Sequence, residues 1–246
     1  MEKYHIWTDH YQMRTYEADF NNKLKIESFT NYIQESAARH ANYRKVGYHD
    51  LIKKNCVWML SRLKIQIKKY PEIGDTLKLE TWVDGRDRLF SHRDFHFYID
   101  ENEIIAAART SWLILDLERK RLRSADEFVE DFPAIPGRCN LKEPNQKIDE
   151  FEAPEPVGSY MIQRSDLDIL QHTNNVTYIK FLFNTLGNRL NNNEIENFEI
   201  NFIAESKLND VLNISFLEYQ ENQFLAKIFN DKDLVRSKFE LRNMQI

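Results

Sequence analysis

The sequence predicts an α+β fold made of two similar halves, each with a long helix wrapped by an antiparallel sheet. Each half carries apolar residues at helical spacing, followed by segments in which apolar and polar residues alternate as in half-buried strands. Several positions of the two halves also match at one constant offset along the chain, which indicates an internal duplication. A polar connector that holds five of the six prolines separates the halves.

The first half begins with a helical stripe and continues with strands. The stripe consists of Ile26, Phe29, Ile33, Ala37, His40 and Ala41. Strand-like segments follow at 63–67 and 77–83, where side chains alternate between the two faces of the predicted sheet. A sheet that curls around such a helix buries the apolar face of both elements.

The second half repeats this order of elements. Its helical stripe consists of Val176, Ile179, Phe183, Leu186 and Leu190, and alternating strands follow at 198–202 and 212–216. The matching positions are Leu63, Ile65, Ile67, Asp75, Leu77 and Leu79 in the first half and Phe198, Ile200, Phe202, Asp210, Leu212 and Ile214 in the second. Two unrelated α+β domains with chance periodicity are the alternative, but the aligned Asp75 and Asp210 favour duplication.

The connector sets the predicted domain limits. We expect an N-terminal domain at 1–132, an irregular connector at 133–157 and a C-terminal domain at 158–246.

Composition and charge favour an ordinary globular protein. The 246 residues are 42% hydrophobic, and the net charge of −5 counts against a whole-surface attraction to nucleic acid. No apolar run reaches membrane-spanning length, and the first twenty residues have neither a signal peptide nor a transit peptide pattern. Cys56 and Cys139 are too few for a disulfide framework or a four-thiolate zinc site, so we expect a cytoplasmic protein with no metal or cofactor.

A series of short motifs resembles the acyl-acyl carrier protein thioesterase family of plants and bacteria. The most specific is Asp-Leu-Asp-Ile-Leu-Gln-His-Thr-Asn-Asn at 166–175. Trp-Met-Leu-Ser-Arg at 58–62, Tyr-Pro-Glu-Ile-Gly-Asp at 70–75 and Ala-Arg-Thr-Ser-Trp at 108–112 keep the order and approximate spacing of the family. The missing transit peptide indicates a bacterial rather than a plastid member.

The resemblance implies a tandem double hot-dog fold and a substrate. The first domain would hold the acyl chain, and the second would hydrolyse the thioester of fatty acyl-acyl carrier protein to free fatty acid. The carrier protein is acidic in general, so Arg119 to Arg123, or Lys64, Lys68 and Lys69, are candidate docking groups. The oligomeric state, a homodimer included, stays open.

Three residues are implied as catalytic. Thioester hydrolysis needs a group that activates water and a group that polarises the carbonyl, because the thiol leaves readily. The resemblance assigns Asp168, His172 and Glu205 to this chemistry, with Glu205 as the general base. Without the resemblance, closing an Asx turn is the favoured explanation of Asp168, and a solvated strand end is the alternative explanation of Glu205. Direct attack by either carboxylate to form a mixed anhydride is also open.

The helix that begins near 173–175 is predicted to position the substrate. Its first backbone N–H groups lack intrahelical partners and favour negative charge, which suits a developing oxyanion. We therefore expect Asn174, Asn175 and Val176 to position the thioester. Helix capping alone would explain the same asparagines.

Two positions depart from the family pattern and keep other functions open. Leu170 stands where many members have Asn, and Ser206 stands where several have Cys. Leucine cannot form a hydrogen bond through its side chain, which raises the alternative of a noncatalytic acyl-binding hot-dog protein. An acyl-coenzyme A thioesterase or a hot-dog hydratase is a further alternative.

Overall fold

The computed structural model of the protein describes residues 6–99, 103–129, 134–139, 141, 145–187 and 193–244. The chain forms two compact units, Met1–Asn145 and Gln146–Ile246. No helix within the described ranges is long and apolar enough to cross a membrane.

The first unit is an antiparallel sheet with one long helix. Its strands are β1 Ile6–Gln12, β2 Cys56–Ile67, β3 Thr76–Asp87, β4 Phe90–Ile99, β5 Glu103–Asp116 and β6 Arg121–Arg123. Its helices are α1 Ile26–Tyr43 and the short α2 Tyr48–Leu51. The strands lie in the order β1-β3-β4-β5-β2, with β6 paired to β5.

The second unit repeats this topology. Its strands are β7 Gly158–Met161, β8 Asn193–Phe202, β9 Val211–Gln220, β10 Gln223–Phe229 and β11 Asp233–Asn243, and its helix is α3 Asn175–Leu186. Their order, β7-β9-β10-β11-β8, matches the order β1-β3-β4-β5-β2 of the first unit strand for strand, and β6 is the one strand of the first unit that has no counterpart among the described strands of the second. The predicted α+β fold with two helix-and-sheet repeats is confirmed.

Aromatic side chains fill the core between helix and sheet in each unit. Phe29 of α1 is fully buried and lies edge-on to Phe97 of β4, with ring centroids 5.2 Å apart. In the second unit Phe183 of α3 packs against Phe198 and Phe239, at 5.2 and 5.6 Å. Burying each such ring contributes about 1.5–3 kcal/mol. The apolar stripes predicted from the sequence are therefore the faces that hold each helix on its sheet, although Leu190 lies outside the described residues.

The predicted connector is described at 134–139, at 141 and from 145 onward, and its described residues up to 157 form no helix or strand. Its first part lies against β3, since Ile135 donates a backbone hydrogen bond to Val83 at 2.8 Å and Arg138 bonds to Glu80 at 2.6 Å. Its later part belongs to the second unit, where the backbone N–H of Ile148 donates to Asn201 Oδ1 at 2.7 Å.

Candidate active site

The loop that leads into α3 is closed by Asp168. Asp168 Oδ1 accepts hydrogen bonds from the backbone N–H groups of Leu170 at 2.8 Å and His172 at 3.1 Å. The backbone N–H of Asp168 donates to the carbonyl of His172 at 2.8 Å, and Gln171 takes a left-handed conformation with φ 63°. The Asx-turn role is therefore present. Both side-chain bonds use Oδ1, which leaves Oδ2 to meet water or a ligand.

The loop keeps its hydrogen bonds although Leu170 stands where many family members have asparagine. Leu170 takes part through its backbone N–H, which every residue except proline carries. An amide side chain is missing at this position, but the turn that presents His172 does not depend on it.

His172 and Glu205 form the central contact of the site. His172 Nε2 lies 3.2 Å from Glu205 Oε2, although the two residues follow different elements. His172 precedes α3, whereas Glu205 follows β8. Their side chains are 24% and 40% exposed, so water reaches a carboxylate that is already paired with an imidazole. Asp168, by contrast, orients His172 through its backbone amide.

Asn174 is the N-cap of α3. Its side-chain oxygen accepts from the backbone N–H of Val176 at 2.9 Å, and its carbonyl accepts from Thr177 at 2.9 Å. The cap therefore occupies the amide of Val176, and the amide of Asn174 donates to the carbonyl of Asp166 at 2.8 Å, so two of the three amides predicted to face the substrate are already paired. Asn175, as the first helical residue, keeps a backbone N–H with no intrahelical acceptor, which makes it the candidate oxyanion donor.

Asp166 fastens the loop to the strand before it. This residue is 7% exposed, and its Oδ2 accepts from the backbone of Gln163 at 2.8 Å and from Tyr160 Oη at 3.1 Å. Its carbonyl accepts from the backbone N–H of Asn174 at 2.8 Å. Asp166 is thus a structural anchor of the motif.

Behind the site lies a group of three buried hydroxyls that sequence reasoning missed. Ser206 Oγ lies 2.7 Å from Thr173 Oγ1 and 2.7 Å from Tyr178 Oη. The exposures are 0%, 5% and 2% for Ser206, Thr173 and Tyr178, and burial raises the pKa of Tyr178 above its usual value. The only sequence signal was the serine that stands where several family members have cysteine.

The first unit holds the same loop without the same chemistry. Asp19 Oδ1 accepts from the backbone N–H groups of Asn21 at 2.8 Å and Lys23 at 2.9 Å, as Asp168 does from Leu170 and His172. Asn22 has φ 64°, matching Gln171. Lysine therefore occupies the position of His172.

Tyr70 occupies the position in the first unit that is equivalent to that of Glu205 in the second. Leu24 donates its backbone N–H to the carbonyl of Pro71 at 2.9 Å, and Thr173 donates to the carbonyl of Ser206 at 3.0 Å. Because these two bonds are equivalent, residue 206 corresponds to residue 71, and residue 205 corresponds to residue 70. The imidazole–carboxylate pair therefore belongs to the second unit.

Thiol chemistry has no support in the structure. Cys56 is fully buried, and burial raises the pKa of the Cys139 thiol to about 11, so little thiolate is present near neutral pH. Among the described residues, no three His, Cys, Asp or Glu side chains are grouped so that they could hold a metal ion.

The repeated helix-and-sheet units define a tandem hot-dog protein with a polar site beside the helix of the second unit. Family models for the acyl-ACP thioesterase N-terminal and C-terminal domains match residues 4–132 and 152–243. The chain belongs to the acyl-ACP thioesterase family, which consists of thioester hydrolases, and the resemblance seen in the sequence is confirmed.

Curated relatives include plant enzymes. Oleoyl-acyl carrier protein thioesterase 2 of Arabidopsis thaliana is 25% identical over 248 residues, covering 93% of this chain and 67% of that protein. The palmitoyl-acyl carrier protein thioesterase of Gossypium hirsutum is 28% identical over 191 residues, covering 72% of this chain and 46% of that protein. The chain thus spans about two thirds of the former and less than half of the latter.

Solved structures share the whole fold. An acyl-ACP thioesterase from Bacteroides thetaiotaomicron is 26% identical, with a TM-score of 0.90 over 98% of this chain and 100% of that one. The 12:0-ACP thioesterase from Umbellularia californica is 21% identical with a TM-score of 0.85, over 97% and 98% of the two chains, and supports the fold alone.

Proposed function

We propose that this protein hydrolyses the thioester of fatty acyl-acyl carrier protein, releasing free fatty acid and the carrier protein, in a bacterial cytoplasm. The observation that carries the proposal is the 3.2 Å contact between His172 Nε2 and Glu205 Oε2, in front of the N-terminus of α3. Family membership and the similarity to the Bacteroides structure support the substrate and the setting.

Glu205 acts as the general base. It takes a proton from a water molecule while the water oxygen bonds to the carbonyl carbon of the thioester. The C=O electron pair moves onto oxygen, and the backbone N–H of Asn175 at the N-terminus of α3 stabilises this oxyanion. When the tetrahedral intermediate collapses, the C–S bond breaks and the thiolate takes the proton held by Glu205.

His172 and Asp168 prepare this step. His172 holds Glu205 through Nε2 and orients the thioester, and Asp168 fixes the loop through Oδ1 while its Oδ2 contacts the attacking water. Asn174 and Val176 act through the cap that sets the direction of α3.

We assign the acyl chain to the N-terminal domain, 1–132, and the chemistry to the C-terminal domain, 158–246. The carrier protein docks at the β5–β6 turn, where Arg119, Lys120 and Arg121 are exposed. Lys64, one of the alternative docking groups, is only 8% exposed and therefore offers little surface to a partner.

A substrate panel tests the proposal. The purified protein is offered saturated acyl-acyl carrier proteins of several chain lengths, the matching acyl-coenzyme A esters and enoyl thioesters, and both free thiol and free fatty acid are measured. We expect release of fatty acid from the carrier protein thioesters with a higher kcat/KM than from coenzyme A. Tight acyl binding without hydrolysis would contradict the proposal and favour an acyl-binding protein, and preferred hydration of enoyl substrates would favour a hydratase.

A further inference from the structure

Three buried hydroxyls connect the two chain segments that carry the proposed catalytic pair. Tyr178 Oη, Ser206 Oγ and Thr173 Oγ1 lie in a row with spacings of 2.7 Å. The backbone N–H of Ser206 also donates to Tyr178 Oη at 3.0 Å, and Thr173 Oγ1 donates to the carbonyl of Ser206 at 3.1 Å. One arrangement satisfies every hydroxyl: tyrosine donates to serine, serine to threonine, and threonine to the carbonyl of residue 206.

Two members of this row, the central serine and the threonine at one end, are sequence neighbours of site residues. Thr173 follows His172, and Ser206 follows Glu205. The hydroxyl row therefore fixes the backbones of residues 173 and 206 relative to each other, and with them the side chains that meet at 3.2 Å.

The first unit serves as an internal control, because it has the same fold but no hydroxyl at the three equivalent positions. The equivalents of Thr173, Tyr178 and Ser206 are Leu24, Phe29 and Pro71, and all three are buried. The backbone bond between residues 24 and 71 is nevertheless the same as that between 173 and 206. The fold alone thus does not require polar groups at this place, where burying a hydroxyl without its partner would be costly.

We infer that Thr173, Ser206 and Tyr178 are positioning residues, which hold Glu205 against His172 in the geometry that water activation needs. This inference rests on the proposed function. The row acts through the backbone and touches neither water nor substrate. A serine suits this position because its hydroxyl oxygen forms short hydrogen bonds with both neighbouring hydroxyls, those of Thr173 and Tyr178.

Kinetics on the full-length protein test this role. Ser206→Ala and Tyr178→Phe each remove one member, and phenylalanine is already accommodated at the equivalent position of the first unit. With the acyl-acyl carrier protein that the wild type hydrolyses fastest, we expect kcat to fall roughly 10- to 100-fold while KM stays within about twofold. Thr173→Ser keeps the hydroxyl and should retain kcat, whereas Thr173→Val should lose it.

Ser215→Ala is the matched control. Ser215 is also fully buried, and its Oγ donates to the carbonyl of Pro154 at 2.7 Å in the same unit. It should lower the Tm as Ser206→Ala does but leave kcat unchanged. Wild-type kcat in Ser206→Ala and Tyr178→Phe would overturn the inference. Glu205→Gln is measured in parallel: if it is inactive while those variants are active, only the positioning role fails, and if it too is fully active, the proposed site fails.

Discussion

Glu205 Oε2 lies 3.2 Å from His172 Nε2, and these side chains belong to segments that are far apart in the sequence. Asp168 closes the loop before His172, and the hydroxyl of Ser206 fastens the residue after Glu205. The candidate site therefore consists of a carboxylate and an imidazole, and the chain segment that carries each of them is fixed by a side-chain hydrogen bond.

Asp168 should have two separable roles. Asp168→Ala removes the acceptor of two backbone hydrogen bonds and should lower the free energy of unfolding by about 1–3 kcal/mol. Asp168→Asn keeps an acceptor oxygen, so it should recover most of this stability, yet its kcat should stay roughly 100-fold low because the negative charge is gone. Denaturant unfolding and steady-state hydrolysis measure the two effects.

Asp19 is the matched control for Asp168, since it accepts the same pair of backbone bonds in the first unit. Asp19→Ala should lose comparable stability and leave kcat within about twofold of wild type, because its role is loop closure alone. Full activity in Asp168→Asn would show that Asp168 only closes its loop.

Substitutions at the N-caps of α3 and α1 should change the free energy of unfolding in opposite directions. Asn174→Ala removes the N-cap bond of α3 and should cost about 1 kcal/mol of stability. The N-cap of α1 is Lys25, whose side chain makes no capping bond, so Lys25→Asn should add roughly 0.5–1 kcal/mol. Urea unfolding of both variants is the measurement. A destabilising Lys25→Asn would mean that its ammonium contact with the carbonyl of Tyr16 outweighs a cap.

Alkaline pH should destabilise the protein partly through Cys139. Burial raises the pKa of this thiol from 9.0 to about 11, so between these values the unfolded chain is ionised while the folded chain still holds the proton. Stability from this group is full below pH 9 and is lost as the pH rises towards 11, by about 1–2 kcal/mol after allowance for partial exposure. Unfolding of Cys139→Ala across pH 8–11 should show a shallower decline. An unchanged slope would contradict the assigned pKa.

The β5–β6 turn should govern recognition of the carrier protein. Arg119→Glu and Arg121→Glu reverse exposed charges and should raise KM for acyl-acyl carrier protein roughly three- to tenfold, with little change for acyl-coenzyme A. Lys232→Glu reverses an exposed charge in the second unit and serves as the control. Equal effects on both substrates would place docking elsewhere.

Much of the fold could be predicted because periodicity and repetition are local properties of a sequence. Phe29 and Phe183 belong to apolar stripes that identify both helices, and the matched Asp75 and Asp210 indicate the repeat before any contact is known. The structure adds that strand order is the same in both units.

The site could be predicted only in part, because its contacts join distant segments. The motif predicted that Asp168 and His172 belong to the site, but periodicity does not reveal that Asp168 contacts His172 through the backbone amide of His172. The hydroxyl row of Thr173, Tyr178 and Ser206 was missed for a related reason. Its counterparts in the first unit are apolar, so a search for repeated residue types passes over it.

The most direct test of the account is hydrolysis of acyl-acyl carrier protein by Glu205→Gln. Glutamine keeps the size of the side chain and an oxygen for His172 but cannot take a proton from water, so kcat should fall about 100- to 10,000-fold with the Tm preserved. Glu221→Gln, at an exposed turn, is the control and should match the wild type. Wild-type turnover by Glu205→Gln would contradict the claim that the His172–Glu205 pair activates the water.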